Sequence, residues 1–372
     1  MFIVGCDFHP SWQQIAVFDN ESGEVNEYKL SNGDGAAEQF YRKLPAPARI
    51  GREACGNSQW FVQLLQELGH EVWIGDAAQI RASYIRKQKT DKRDALHILK
   101  LLLEDGFPRL WTPTAEIGNQ RQLLVHRHKL VRLRAQVKNE LQHLALNQGV
   151  QKKARRWSQA GQKLLRELPL AGWAASRRAN LLELMKLMDR QIAELDRALE
   201  QAAEENPQAR LLRTQPGVGP VTALAFVLTL GDVSRFPRGK QVSSYLGLIP
   251  REHSSGGRQR LGAISKQGNR FLRQTLVEAA HSVVRLDEGF RKQYQRRCHR
   301  KPKGVAKVAA ARKLAVRLYG MLRTNIGYPE IVHIESRPLV PLVDHGQTET
   351  LNGRSRIQQT GAKDGPAGLG KR

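Results

Sequence analysis

Cysteine is scarce in this sequence and widely spaced. Three occur in 372 residues, Cys6, Cys55 and Cys298, with no CxxC pair and no Cys/His spacing of the kind that holds zinc. A disulfide framework is excluded, and the pattern suits a reducing cytosol. Long apolar runs are also missing. No stretch approaches the roughly 20 residues that span a bilayer, and Met1-Phe2-Ile3-Val4-Gly5 is too short for the apolar centre of a signal peptide. The chain is expected to be soluble and cytoplasmic, with no membrane partner. It has no Walker-type G-x-x-x-x-G-K-S/T segment and no repeat of about 20–50 residues, so neither a P-loop nor a solenoid is expected. Acids are the scarcer charge: 35 Asp/Glu stand against 60 Lys/Arg, a formal net of +25.

That charge is unevenly placed. Residues 1–105 hold 12 Lys/Arg and 15 Asp/Glu, a net of −3, which leaves +28 on the remainder. An acidic front with a strongly basic body is what a chain gripping polyphosphate carries, although a ribosomal or anionic-membrane partner would draw the same excess. The length allows two or three domains with sizeable cores.

Residues 2–8 read as a buried strand ending on an acid. A tight turn at His9-Pro10-Ser11 leads to a second strand, Gln13 to Phe18, and Val25 to Leu30 alternates as a third. The period then changes. Residues 35–44 look helical, Ala48 to Glu53 is a short strand ending on an acid, and Asn57 can cap a helix through Leu68. His70 to Ile74 is a strand and Ala77 to Ile85 a helix. The order βββαβαβα is that of an α/β ribonuclease H-like domain.

In Lys89-Thr90-Asp91-Lys92-Arg93-Asp94-Ala95, two carboxylates stand three residues apart where an apolar helical pattern begins. Residues at i and i+3 share a helix face. Either the pair favours the helix dipole, or both acids aim at one spot and hold a hard divalent cation such as magnesium between them. Asp7 and Glu53 stand at strand ends. In a mixed sheet of this kind the first and fourth strands are neighbours, so all four acids would meet where two ions can polarise a scissile phosphate.

Two long charged helical patterns follow, Glu116 to about Gln148 and Ala175 to Glu205. Their apolar seams read Leu123, Leu124, Leu130, Leu133, Val137 and Leu141, then Leu181, Leu184, Leu187, Ile192 and Leu195. They suggest a helical hairpin or coiled-coil dimer arm over residues 111–207. Between them lies the basic Gln151–Trp157 segment, a solvated connector or a nucleic-acid contact.

Residues 208–330 read as a basic, mostly helical domain. Its Gly217-Val218-Gly219 turn resembles a helix–hairpin–helix, whose backbone amides can hold a DNA phosphate without reading sequence. In Tyr245–Arg273, glycines such as Gly256 permit close approach to a phosphate, and Arg258, Arg260, Lys266, Arg270 and Arg273 surround the loop with positive charge. A serine there can be a turn residue or a nucleophile on phosphorus, if something accepts its proton; Tyr245 is a rival nucleophile or a core residue. Residues 275–325 add dense base with Tyr294, His299 and Tyr319 interleaved, a phosphate-tracking pattern. Residues 331–372, polar and rich in Gly and Gln from about Ser336, are expected to be a disordered tail.

Asp7 in Val-Gly-Cys-Asp, Glu53 in Arg-Glu-Ala, and Lys-Thr-Asp91-Lys-Arg-Asp94-Ala resemble the four DEDD acids of transposases of the insertion sequence 110 family. Gln-Pro-Gly-Val-Gly-Pro, Tyr-Leu-Gly-Leu-Ile-Pro, Ser255-Gly256-Gly257 and Lys266-Gln-Gly-Asn269-Arg-Phe-Leu-Arg resemble that family's second domain. The resemblance covers roughly residues 1–325. It implies a RuvC-like DEDD domain at 1–110 and a site-specific DNA recombinase of bacterial mobile elements, expected at the nucleoid. It further implies magnesium on the four acids, nucleic-acid contact through the second-domain motif including Asn269, and a serine that links transiently to DNA. The family's serine precedes glycine, which maps to Ser255 and leaves Ser254 as its neighbour. A structured bridge RNA pairing with donor and target DNA, and dimers and tetramers joined through the arm, are also implied. Pro10 departs from the lysine many relatives carry after the first acid. An invertase without guide RNA and a RuvC-like nuclease using water are the rival readings.

Overall fold

The computed structural model describes residues 1–84, 90–150 and 157–336. Lys89, the end of the helix expected to reach Ile85, the basic connector before Trp157 and the tail beyond Ser336 lie outside the described residues.

The first unit is a five-stranded mixed sheet ordered β3-β2-β1-β4-β5. Its strands are β1 (Phe2–Phe8), β2 (Trp12–Asp19), β3 (Val25–Ser31), β4 (Arg49–Glu53) and β5 (Glu71–Gly75), interleaved with helices α1 (Ala36–Lys43), α2 (Gln59–Glu67), α3 (Ala77–Ala82) and α4 (Asp91–Leu103). Strands β1, β2 and β3 pair antiparallel, whereas β1–β4 and β4–β5 are parallel, with Cys6 opposite Arg52. Side chains alternate across the sheet. Val4, Cys6, Phe8 and Ile50 meet Tyr41, Phe61 and Leu65 on one face; Ile3 and Ala16 meet Ala95, Ile98 and Leu99 on the other. Helix α2 starts after Ser58, which makes no side-chain cap bond, rather than after Asn57, which takes a left-handed φ of 57°.

Gly5 sets how closely α4 lies on β1. A Cβ there would stand 2.2 Å from the Ala95 carbonyl oxygen and 2.5 Å from the Leu99 nitrogen, both rigid backbone. Glycine inside a strand marks such an approach, and this one brings the start of α4 to the acid of β1. Gly5→Ala is expected to destabilise the fold by about 3 kcal/mol, read from urea unfolding.

Two long helices, α5 (Ala115–Asn147) and α7 (Gly172–Glu205), flank the short α6 (Gln159–Arg166). Arg127 pairs with Asp196 at 2.6 Å and Arg134 with Asp189 at 2.8 Å, while Glu140 meets Arg177, so the two helices run antiparallel. Their seam is Leu130, Val137, Leu141, Met185, Met188 and Ile192. Leu133, Leu184 and Leu187, expected within it, are exposed. Adjacent apolar residues leave the helical phase ambiguous, and the buried methionines decide it.

The remaining helices are α8 (Pro207–Arg213), α9 (Pro220–Leu230), α10 (Gly239–Tyr245), α11 (Arg270–Leu286), α12 (Glu288–Cys298), α13 (Lys303–Thr324) and α14 (Tyr328–Ser336). A hairpin of β6 (Pro250–Glu252) and β7 (Leu261–Ile264) stands among them. Every residue of α9 from Thr222 to Leu230 is buried, as befits a helix apolar all round. Ile331 of α14 is buried in the same core, so the folded chain continues past residue 330.

The buried Arg317 donates to Asp287 at 2.6 Å, and Tyr328 donates to the same carboxylate at 3.2 Å. Burial works to raise the Asp287 carboxyl, but the Phe290 amide, Arg317 and Tyr328 hold it below the usual carboxylate range. A depressed carboxyl stabilises the fold above its unfolded value, and that contribution is lost as pH falls through the folded one. Asp287→Asn, which removes the carboxylate paired with the buried Arg317, is expected to cost about 3–5 kcal/mol at neutral pH. In urea unfolding across pH, the gap to the parent protein narrows below about pH 4.

Candidate active site

Asp7 lies on the face of β1 that carries Gly5, and Glu53 on the matching face of β4, so both point toward the α4 side of the sheet. Thr90 caps α4, its hydroxyl accepting from the Arg93 amide at 3.4 Å, and fixes where Asp91 and Asp94 begin the helix. Asp94 is buried and accepts from the Tyr84 hydroxyl at 2.6 Å; Asp91 is exposed. His9 Nε2 stands 3.3 Å from Asp7 Oδ2, and its ring stacks on Trp12 with centroids 4.3 Å apart.

The acids bear on one another electrostatically. Burial pushes the Asp7 carboxyl up; His9 pulls it down, and the negative charges of Asp94 and Asp91 add to the rise. The Tyr84 hydroxyl is raised by burial, by its bond to Asp94, and by the charges of Asp94, Asp7 and Glu53. One phenol therefore feels three of the four acids. Ligand atoms of Asp7, His9 and Asp91 all lie within 4.8 Å of one another. Clustered carboxylates that are partly desolvated and mutually repelling are a donor set for a hard divalent cation. Glu53 and Asp94 are outside that group; Glu53 pairs with Arg81 at 3.9 Å. Sequence reasoning missed His9 and Tyr84; for His9 the signal was its place two residues after Asp7, in the turn that ends β1.

The loop between β6 and β7 is exposed throughout. Ser254 Oγ donates to Glu252 Oε1 at 2.7 Å and accepts from the Arg260 amide at 3.1 Å. The Ser255 carbonyl closes the turn, accepting from the Arg258 amide at 3.1 Å, and Gly256 and Gly257 follow at φ 57° and 73°. Among the described residues the Ser255 hydroxyl has no hydrogen-bond partner. Arg258, Arg260, Lys266 and Arg270 are exposed.

Other expected contact residues hold the fold. Asn269 caps α11, accepting from the Leu272 amide at 3.0 Å. Arg273 donates to the carbonyls of Leu246, Gln267 and Gly268, which fixes the loop before α11. Gly217, at φ 88°, lies against α11, where a Cβ would stand 2.7 Å from the Val283 nitrogen, whereas Gly219 is exposed at the start of α9. Tyr319 is buried with its hydroxyl on the Phe236 carbonyl at 2.5 Å, while Tyr245 is partly exposed. A cleft of about 910 Å³ at the turn from α12 to α13 is lined by Arg296, Arg297, His299, Arg300 and Lys301. No helix among the described residues is long and apolar enough to cross a membrane.

Residues 4–148 match a family model described as a transposase of the DEDD type, and residues 209–295 match the model for transposases of the IS116/IS110/IS902 family. The chain is 32% identical to a probable family 20 transposase of Pseudomonas aeruginosa, over 87% of this chain and 98% of that protein. It is 28% identical to the transposase for insertion sequence element IS1111A of Coxiella burnetii, over 66% and 69% of the two chains. A pilin gene-inverting protein of Moraxella bovis is 26% identical over 66% of this chain and 70% of its own. With an acid cluster on a mixed sheet, a basic helical unit behind it, and a relative matched along nearly its whole length, the chain belongs to the IS110-type transposases, enzymes of insertion sequences that cut and transfer DNA.

Proposed function

We propose that this transposase cuts and rejoins DNA at a site where Asp7, Glu53, Asp91 and Asp94, on a ribonuclease H-like (RuvC-like) sheet, hold magnesium against the scissile phosphate. The observation that carries this reading is geometric: ligand atoms of Asp7, His9 and Asp91 lie within 4.8 Å of one another, and Asp94 shares the first turn of α4 with Asp91. Magnesium, when bound, supplies the charge that draws electron density from the phosphorus. The protein's own part is to orient and to exchange protons. Tyr84 holds Asp94 in one rotamer, and His9 holds Asp7.

The Ser255 hydroxyl attacks phosphorus: its Oγ–P bond forms, the bond to the leaving deoxyribose oxygen breaks, and the serine proton passes to a base as the leaving oxygen gains one. The phosphoserine link conserves the phosphodiester for rejoining, so no nucleotide triphosphate is consumed. Arg258, Arg260, Lys266 and Arg270 hold the strand through its phosphates. A structured guide RNA from the element selects donor and target. Exposed Leu133, Leu184 and Leu187 on the α5–α7 arm give protomers a surface for dimers and tetramers.

The pilin gene-inverting relative supports a second reading, inversion of DNA without a guide RNA. Recombination assays between two element ends, with and without transcript from the flanking non-coding DNA, separate the two. Dependence on the transcript supports guidance; full activity without it supports the invertase.

A further inference from the structure

Arg52 is, among the described residues, the largest fully buried side chain, 1% exposed, and it is a cation. Among the described residues its Nη2 reaches the Cys55 sulfur at 3.5 Å, its guanidinium faces the Phe8 ring at 5.3 Å, and Nε and Nη1 have no hydrogen-bond partner. A buried charge with unmet donors is unfavourable unless a ligand of opposite charge completes it. It follows Cys6 and Phe8 onto the α2 side of the sheet, opposite Glu53 on the same strand.

On that side Arg52 lines a cleft of about 390 Å³ between α2 and the start of α5. The cleft wall includes Thr114 and Ala115, the cap and first residue of a 33-residue helix; the Thr114 hydroxyl takes the Ile117 amide at 3.3 Å, which leaves the amides of Ala115 and Glu116 open among the described residues. A helix start of this kind favours an anion. Arg121, which lines the cleft too, adds positive charge although its own donors go to the Leu228 carbonyl. The rest of the lining is amide, hydroxyl and apolar, with no carboxylate; Glu116 of the same helical turn is not part of it. The volume is that of a nucleotide-sized site.

We propose that this cleft binds a backbone phosphate of a nucleic-acid strand, with Arg52 and the α5 amides on the phosphate and the lining amides on the attached sugar and base. Because Arg52 and Glu53 are consecutive on β4 and face opposite ways, a strand crossing the end of β4 touches both. The cleft thus grips the strand beside the acids rather than cutting it. The proposal rests on the reading that the chain binds nucleic acid.

Cys55, exposed and lining the cleft, reports its occupancy. In full-length Cys298→Ser protein, Cys6 is buried with its thiol pushed up to about 12, so N-ethylmaleimide labels Cys55. A single-stranded oligonucleotide at ten times its dissociation constant is expected to slow that labelling roughly tenfold. Inorganic phosphate protects only at far higher concentration. Gln63→Glu, an exposed change that puts a carboxylate in the lining, and Arg52→Gln are both expected to reduce the protection to less than about twofold. Oligonucleotide that shifts the protein's mobility yet leaves Cys55 labelling unchanged overturns the site. So does equal protection in Gln63→Glu, or protection by phosphate with none by bound oligonucleotide. Failure of any oligonucleotide to bind overturns the nucleic-acid reading itself.

Discussion

Ser255→Ala is expected to abolish the covalent protein–DNA link and to lower strand joining by at least about 10⁴-fold, as loss of an attacking hydroxyl does elsewhere. Ser254→Ala is expected to retain the link and to lose no more than about tenfold, because its hydroxyl is already held between Glu252 and the Arg260 amide and serves to shape the loop. The readout is a denaturing gel of protein with end-labelled DNA, followed by mass spectrometry of the attached peptide. A link that survives Ser255→Ala but vanishes in Ser254→Ala assigns the attack to Ser254, for which Glu252 is a ready proton acceptor. A nuclease that uses water would cut DNA in both variants and form no link in either.

Asp7→Asn is expected to lower DNA cleavage by about 10³-fold or more while leaving the fold intact. The substitution keeps the shape of the side chain, and it removes a charge that Asp91 and Asp94 oppose and His9 offsets. Thermal stability without divalent ions should therefore hold or rise slightly, since a repelling carboxylate is lost. Activity and stability moving in opposite directions is the signature of a functional acid held against local repulsion. Loss of both together would mark Asp7 as structural.

Much of this was legible before any coordinates. Strand-end acids at Asp7 and Glu53 stand on neighbouring strands on the same face of the sheet because β1 and β4 pair in parallel, and the order of elements announces that adjacency. The Asp91/Asp94 pair opens its helix because Thr90 caps it, a local signal. Residues supplied by distant packing were not legible. Tyr84 reaches Asp94 only after α3 and α4 are placed, and Arg52, next to Glu53, gave no hint of burial until strand alternation turned it inward. Arg273 and Asn269 looked like phosphate ligands by charge and motif, yet carbonyls and a helix start claim them. In the arm, leucine and methionine side by side gave two possible phases, and only packing against α5 chose between them.

The claim beneath all of this is that acids from β1, β4 and α4 form one cation site. Manganese, a spectroscopic stand-in for magnesium with the same oxygen preference, tests it without any DNA present. Titration of the metal-free protein, followed by the loss of free-ion paramagnetic signal, should show binding in the parent chain that Asp7→Asn and Asp94→Asn each weaken by tenfold or more. Binding that is unchanged in both variants would contradict the account.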